Sequence, residues 1–404
     1  MTSLITTALF LGLLISLNYN FIMAGTIAPS ESASRNLFAA DLFSVIVDKK
    51  SSENIVYSPA SIQTCLALAY NGAEGETAEE MRKVLKLGQG NKTHVAEKYG
   101  EFLKTAFKQT KANEKAPQLK MANRLYVNDH LKVKTQFNKI AQDFFDSQAE
   151  NVDFSQSQKV VEKINNWVAQ QTENKIKDLL QADAVDGDTS AVLVNAIYFK
   201  AKWLHPFSEA TTSKATFHLN SKQNMEVDTM YTDDRFGYVE LPELQATALE
   251  MPYENSDISM LIILPNEIEG LEKLESKLRG VDLNDITSKM FVKSVDVFLP
   301  KFRLEFDINL KEPLNKLGLS SIFSQSANFS SLFDSPVPQR ISEVKHKAFL
   351  DVNEAGSEAA AATYMKIVPM SLNLDQQTFR ADHPFVFAIR SKTAVYFAGH
   401  VVKF

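Results

Sequence analysis

The 404-residue chain reads as a mixed α/β protein of the α+β kind, and three observations carry that expectation. Apolar residues recur at helical spacing near the N-terminus. Runs rich in Val, Ile, Phe and Tyr crowd the later part of the chain. Strands and helices do not alternate strictly, as they would in a doubly wound sheet. No Pro/Gly/Ser-rich linker interrupts the chain, so one large domain is expected despite the length.

Leu4 to Leu17 is almost wholly apolar and is followed by small residues around Ala24, Gly25 and Ala28, the layout of a secretory signal peptide, although no Lys or Arg precedes the run. Residues 1–24 are therefore expected to be removed, leaving 25–404 as a secreted domain. A run of about 14 apolar residues is too short to span a bilayer, which needs ~20. Phe38, Leu42, Val45 and Ile46 mark a first helix, and Ile62, Leu66 and Tyr70 a second. The single cysteine, Cys65, falls on the apolar side of the second helix, where a lone thiol behaves as a small hydrophobe, and no intramolecular disulfide can form. Gly88-Gln89-Gly90 reads as a turn after a helix rather than as a phosphate loop. Lys104, Lys108, Lys111 and Lys115 would share one helix face, most simply a solvated one, with weak polyanion binding as the functional alternative. Asn91 and Asn328 each begin an N-glycosylation sequon, meaningful in an exported chain. Strands are expected at Ala191–Phe199, Ile258–Leu264, Val295–Leu299, Pro384–Ile389 and Val395–Val402.

Composition and motifs exclude several functions. A formal charge of −6 is a poor footprint for nucleic acid, whose phosphates need a basic surface. No HExxH, GxSxG or GxxxxGK[ST] pattern occurs, and the seven histidines are scattered without metal-ligand spacing, so neither a metal nor a cofactor is expected.

The most informative stretch is Glu354-Ala355-Gly356-Ser357-Glu358-Ala359-Ala360-Ala361-Ala362-Thr363, followed by Ile367-Val368-Pro369-Met370-Ser371. Alanine content favours a helix. Threaded at strand period, however, Ser357, Ala359, Ala361, Thr363, Met365 and Ile367 form one uncharged face, while Glu358 and Lys366 fall on the other. Such a segment can lie buried in a sheet, and Pro369 would end it. This stretch resembles the hinge and reactive-centre loop of the serpins. The resemblance extends in order through Asn54–Ile62, Val194–Trp203, Phe298–Phe302, His346-Lys347-Ala348, Asp382–Phe387 and Phe397–Val401. It implies helices packed on three β-sheets, with a mobile reactive-centre loop at about 354–383.

The resemblance also implies a function. A monomeric inhibitor would present Met370-Ser371 to a serine protease as a substrate bond, become acylated at Met370, and insert the loop into its central sheet, trapping the enzyme. Counting 17 residues inclusively from the hinge residue Glu354 ends on Met370; Leu372-Asn373 is the alternative bond. Methionine favours elastase-like or chymotrypsin-like enzymes over trypsin-like ones. The hinge would comprise Glu354, Gly356, Ser357 and Glu358 to Ala362 (Ala359, Ala360, Ala361, Ala362). Ser58, Ser61, Asn195 and His346 would form a hydrogen-bonded cluster beneath the sheet, and Trp203 would lie near the root of the loop. These are structural control residues rather than catalysts, since no enzyme activity is expected. The other function class is a non-inhibitory serpin acting as carrier, chaperone or storage protein, against which the small hinge side chains argue.

Overall fold

The computed structural model describes residues 30–48, 50, 52–112, 117–335, 338–357 and 375–404, the side chains of 107–112 excepted. Residues 1–24, Lys115, Glu358 to Ala362, Met370 and Ser371 lie outside it. Its helices are α1 (Glu31–Ile46), α2 (Pro59–Gly72), α3 (Gly75–Val84), α4 (Lys92–Ala112), α5 (Thr135–Phe145), α6 (Ser157–Gln171), α7 (Leu271–Leu278), α8 (Leu283–Thr287) and α9 (Lys311–Lys316). Its strands are β1 (Ile55–Tyr57), β2 (Gln118–Asn128), β3 (Ala149–Val152), β4 (Ala191–Lys202), β5 (Ser213–His218), β6 (Asn224–Leu241), β7 (Ala246–Pro252), β8 (Ser259–Pro265), β9 (Phe291–Pro300), β10 (Phe302–Asn309), β11 (Glu343–Asn353), β12 (Gly356–Ser357), β13 (Gln377–Arg380), β14 (Phe385–Arg390) and β15 (Val395–Val401).

Helix α2 begins where the sequence says it must. Ser58 is extended and its Oγ accepts the Ser61 backbone N–H at 3.1 Å, while Pro59 occupies the first turn, where its missing N–H costs nothing. All fourteen residues of α2 are buried, Cys65 included, so the helix runs through the core rather than along its surface. Phe38, Leu42 and Ile46 are the buried stripe of α1, as their spacing predicts.

The strands form a six-stranded sheet in the order β10-β11-β12-β4-β2-β3 and a nine-stranded network, β1-β15-β14-β8-β7-β6-β9-β13, with β5 on β6. The third expected sheet is not separate. The 18-residue β6 pairs with β9 over Thr229–Tyr238 and with β7 over Gly237–Leu241, which joins two sheets into one hydrogen-bonded network.

Strand β4 is buried over nearly its whole length, the mark of a central strand covered on both faces. Its alternation decides which core each residue enters. Leu193, Ile197 and Phe199 join the large cluster around α1, α2 and the nine-stranded network. Val192, Val194, Ala196 and Tyr198 join a smaller cluster with Phe154, Ile164 and Phe349 beneath α6. Among the described residues no helix is long and apolar enough to cross a membrane.

Candidate functional site

The site lies where β11 meets β4. These strands pair directly and in parallel, Glu343–Phe349 against Val192–Tyr198. Above Phe349 they part, and the two residues of β12 fill the gap, antiparallel to both: Ser357 lies opposite Val352 on one side and Ala201 on the other. The sheet is thus closed along a seam and already opened at one end by two hinge residues, Gly356 and Ser357.

Gly356 is required there. Its φ is +153°, and a Cβ at this position would stand 2.0 Å from the Ala201 carbonyl oxygen, so only glycine lets the chain lie this close to β4. Ser357 is fully buried and its Oγ lies 2.8 Å from the Tyr253 hydroxyl. Tyr253 in turn stacks on Trp203, with ring centroids 4.5 Å apart and planes 10° from parallel. Trp203 holds the root of the loop twice: its indole Nε1–H donates to the Asn353 carbonyl at 3.0 Å, and its backbone N–H donates to the Ala355 carbonyl at 3.0 Å. Trp203, expected near the root of the loop, is placed against Asn353 and Ala355.

Glu354 anchors this root from the other side. Its carboxylate pairs with Lys301 Nζ at 2.9 Å and accepts from Thr212 Oγ1 at 2.8 Å, while the Phe207 N–H donates to its carbonyl at 2.9 Å. Burial alone would raise its pKa, but the Lys301 and Thr212 bonds outweigh burial and hold it below the ordinary carboxylate range. Glu354→Ala is expected to lose ~1–3 kcal/mol of native stability by leaving the Lys301 and Thr212 groups without this acceptor. Urea midpoints for Glu354→Ala, Lys301→Ala and the double variant check this, since for a coupled pair the two single costs should sum to more than the cost of the double variant.

Half-way down the seam sits the second part of the site. Register places Asn123 of β2, Asn195 of β4 and His346 of β11 in one row across three strands. Asn195 uses its whole amide: its Nδ2 donates to Ser61 Oγ and Asn123 Oδ1, and its Oδ1 faces His346 Nδ1. The Ser58 backbone N–H donates to His346 Nε2 at 3.1 Å. That bond needs a lone pair on Nε2, so the imidazole is neutral with its proton on Nδ1, donated to Asn195. Burial has the same consequence, pushing the His346 pKa down to about 3. The Asn195–His346 bond crosses the β4–β11 seam, and the strands cannot part while it stands. All four residues expected beneath the sheet, Ser58, Ser61, Asn195 and His346, are fully buried and brought together.

Asn123, Tyr253, Lys301 and Thr212 escaped the sequence reading. Each acts on a residue far away in the chain, and no local pattern marks it.

The remaining candidates are dispersed. Asn91 is exposed at the start of α4, where its Oδ1 accepts the His94 N–H at 2.9 Å, and Asn328 is exposed in the turn after Ala327. Lys104 is exposed on α4, and Lys108 and Lys111 follow it within the same helix. No group of three His, Cys, Asp or Glu residues suited to a metal occurs among the described residues.

Comparison with known proteins gives one answer. The family described as serpin (serine protease inhibitor) matches residues 33–404. Serine protease inhibitor 42Dd of Drosophila melanogaster is 38% identical over 363 residues, 90% of this chain and 94% of the relative. The leukocyte elastase inhibitor of Bos taurus is 38% identical over 372 residues, 89% of this chain and 95% of the relative. The solved structure of cleaved Serpin 42Da superposes with a TM-score of 0.83 at 38% identity, covering 93% of this chain and 99% of that one.

Proposed function

Because this chain belongs to the serpin family of serine protease inhibitors, we propose that it traps its target through the bond Met370–Ser371, and that the β4–β11 seam is the track along which the cleaved loop inserts. The protease serine attacks the Met370 carbonyl, the Met370–Ser371 amide breaks, the Ser371 amine leaves with the proton the enzyme supplies, and an ester joins Met370 to the protease. The observation that carries the reading is the position of β12, between β11 and β4 and antiparallel to both. Continued in the same register, the strand would bring residue 367 opposite Ala191 and residue 366 opposite Glu343, the ends at which β4 and β11 begin. The slot would take residues 356–367, and Pro369 would fall just beyond it. One parallel pairing would give way to two antiparallel ones, with more backbone hydrogen bonds of better geometry. Burial of Met365 and Ile367 would add ~1.5–3 kcal/mol each. The native fold is then a kinetic trap above the inserted state.

The small, uncharged face of the hinge supports inhibition over a carrier or storage role, and an apolar Met370 supports elastase-like or chymotrypsin-like targets; the bovine relative is named for such an enzyme. The test is to mix the protein with pancreatic elastase and with chymotrypsin, run denaturing gels, and sequence the released C-terminal peptide. A detergent-stable complex with a peptide beginning at Ser371 is the expected result. A peptide beginning at Asn373 moves the bond to Leu372–Asn373, and clean cleavage without complex favours a non-inhibitory serpin.

Mild oxidation of Met370 to the sulfoxide makes the side chain polar and is expected to slow inhibition of both enzymes at least ~10-fold. Unchanged rates after mass spectrometry confirms the sulfoxide would exclude Met370 as the recognised residue.

Secretion as a monomer, after removal of residues 1–24, accompanies this reading. It predicts an N-terminus near Gly25 in the secreted protein and a mass loss on glycosidase treatment if Asn91 or Asn328 is modified. Polyanion binding along Lys104, Lys108, Lys111 and Lys115 remains the weaker reading, because Glu97 and Glu101 dilute the same stretch.

A further inference from the structure

Strand β13, the first after the loop, is the edge of its sheet and covers only part of its neighbour. It pairs in parallel with Val295–Phe298 of β9, starting at Gln377 opposite Val295. The preceding residues of β9, Phe291–Ser294, pair with β6 on one side and have no strand on the other among the described residues. They form a step in the sheet edge, on the side from which the chain arrives from the loop. At this step Phe291 is 74% exposed and Val292 62%, the two most exposed large apolar side chains among the described residues. Apolar side chains exposed at a sheet edge mark a contact site for another protein. Lysine often blunts such edges, but Lys293 instead turns onto the neighbouring Tyr238, 5.2 Å from its ring.

We infer that Phe291 and Val292 form a second contact surface for the target protease, engaged when that enzyme is seated on the reactive loop. The inference rests on the inhibitory reading, and chain geometry ties the two contacts together. Gln376 is pinned to Asp233 at 3.0 Å, and six residues of chain keep Met370 within ~22 Å of it. Phe291 lies four strand residues from the level of Gln377, ~13 Å along the sheet. A globular protease, some 40 Å across by the scaling of domain size with chain length, reaches both points at once. The surface lies on the side from which the chain arrives from the loop and away from the β4–β11 seam, so it contributes to which proteases are captured quickly while taking no part in insertion. Its chemistry is apolar, so it suits an enzyme whose active-site rim carries an apolar side chain.

The experiment uses the double variant Phe291→Ser, Val292→Thr, in which threonine keeps strand propensity, and Phe404→Ser as the exposed-apolar control. Affinity for chymotrypsin and pancreatic elastase with the serine nucleophile replaced by alanine reads docking without trapping. Active enzyme gives the association rate and the stoichiometry of inhibition. The expected result is ~10-fold weaker docking of at least one inert enzyme, an equal fall in its association rate, and unchanged stoichiometry, with Phe404→Ser neutral. Unchanged docking of both enzymes overturns the inference, and so does unchanged docking accompanied by self-association of the wild type that the double variant abolishes, which would assign the edge to a second copy of the chain. If active protease leaves no stable complex while inert protease still docks through Phe291 and Val292, the inhibitory reading fails and the contact surface stands.

Discussion

Ser357→Arg is expected to turn the protein from an inhibitor into a substrate. Ser357 is fully buried, flanked by Ala201 and Val352, and its hydroxyl meets only the short reach of Tyr253. A guanidinium in that slot would be an ionised group without a carboxylate partner, and burying one costs several kcal/mol. The native state avoids most of the cost, because β12 holds on by only two residues on each side and can leave the gap. The inserted state cannot, since every later residue of the loop must follow 357 into the sheet. If insertion slows by ~2–3 kcal/mol of barrier, it falls ~30–150-fold behind hydrolysis of the acyl-enzyme. Gels should then show cleaved protein and free, active protease, with the stoichiometry of inhibition rising from near one to more than about ten. Ser357→Ala removes only the bond to Tyr253, and should cost ~1 kcal/mol and leave trapping nearly intact. A Ser357→Arg protein that still inhibits one-to-one would mean that insertion does not begin at β12.

How much of this was legible beforehand depends on the distance over which each residue acts. The apolar stripe of α1 is local and was readable from spacing, whereas the α2 cap at Ser58 was met only in the structure. Strands β4, β8, β14 and β15 announce themselves as apolar runs, and the structure extends or trims them by a few residues, β4 to Lys202 for example. Strands β2 and β6 carry Lys, Arg, Asp and Glu along their length and gave no such run, because each has one face or one end open to water. The cluster of Ser58, Ser61, Asn195 and His346 came from family resemblance, since nothing in spacing connects residues 58 and 346. Asn123 joins it only through the β2–β4 register, which sets it opposite Asn195. Tyr253, Lys301 and Thr212 likewise meet the loop root through tertiary packing, from positions 53 to 142 residues away in the chain. The seam itself is a property of the sheet order, in which β11 and β4 come together although paired residues such as Asn195 and His346 are 151 positions apart in the chain.

Acidification is expected to loosen that seam through His346. Its pKa is held by burial at about 3 in the native state, against 6.5 when exposed. Between those values the unfolded chain binds a proton that the native protein does not, so stability rises with pH across this window, is fully present above about 6.5, and is lost progressively as pH falls towards 3. The loss from this one group is ~1.4 kcal/mol per pH unit, ~2 kcal/mol by pH 5. The structural cause is specific. A proton on Nε2 removes the acceptor for the Ser58 N–H, leaving two donors facing one another in a site with no carboxylate in contact. The cheapest relief is for the His346 side chain to leave the row, which breaks its bond to Asn195 and frees β11 from β4. Native-state hydrogen exchange at the Ser58 amide should therefore quicken at pH 5 relative to pH 7.5, beyond the intrinsic pH effect, in step with faster loop insertion. Urea unfolding between pH 7.5 and 5 measures the linkage directly: the slope of stability against pH should be shallower by about one proton in His346→Gln, which is less stable than wild type at pH 7.5 but closer to it at pH 5. Parallel slopes in the two proteins would mean that His346 takes up its proton without disturbing the seam, and the acid sensitivity would have to come from another group.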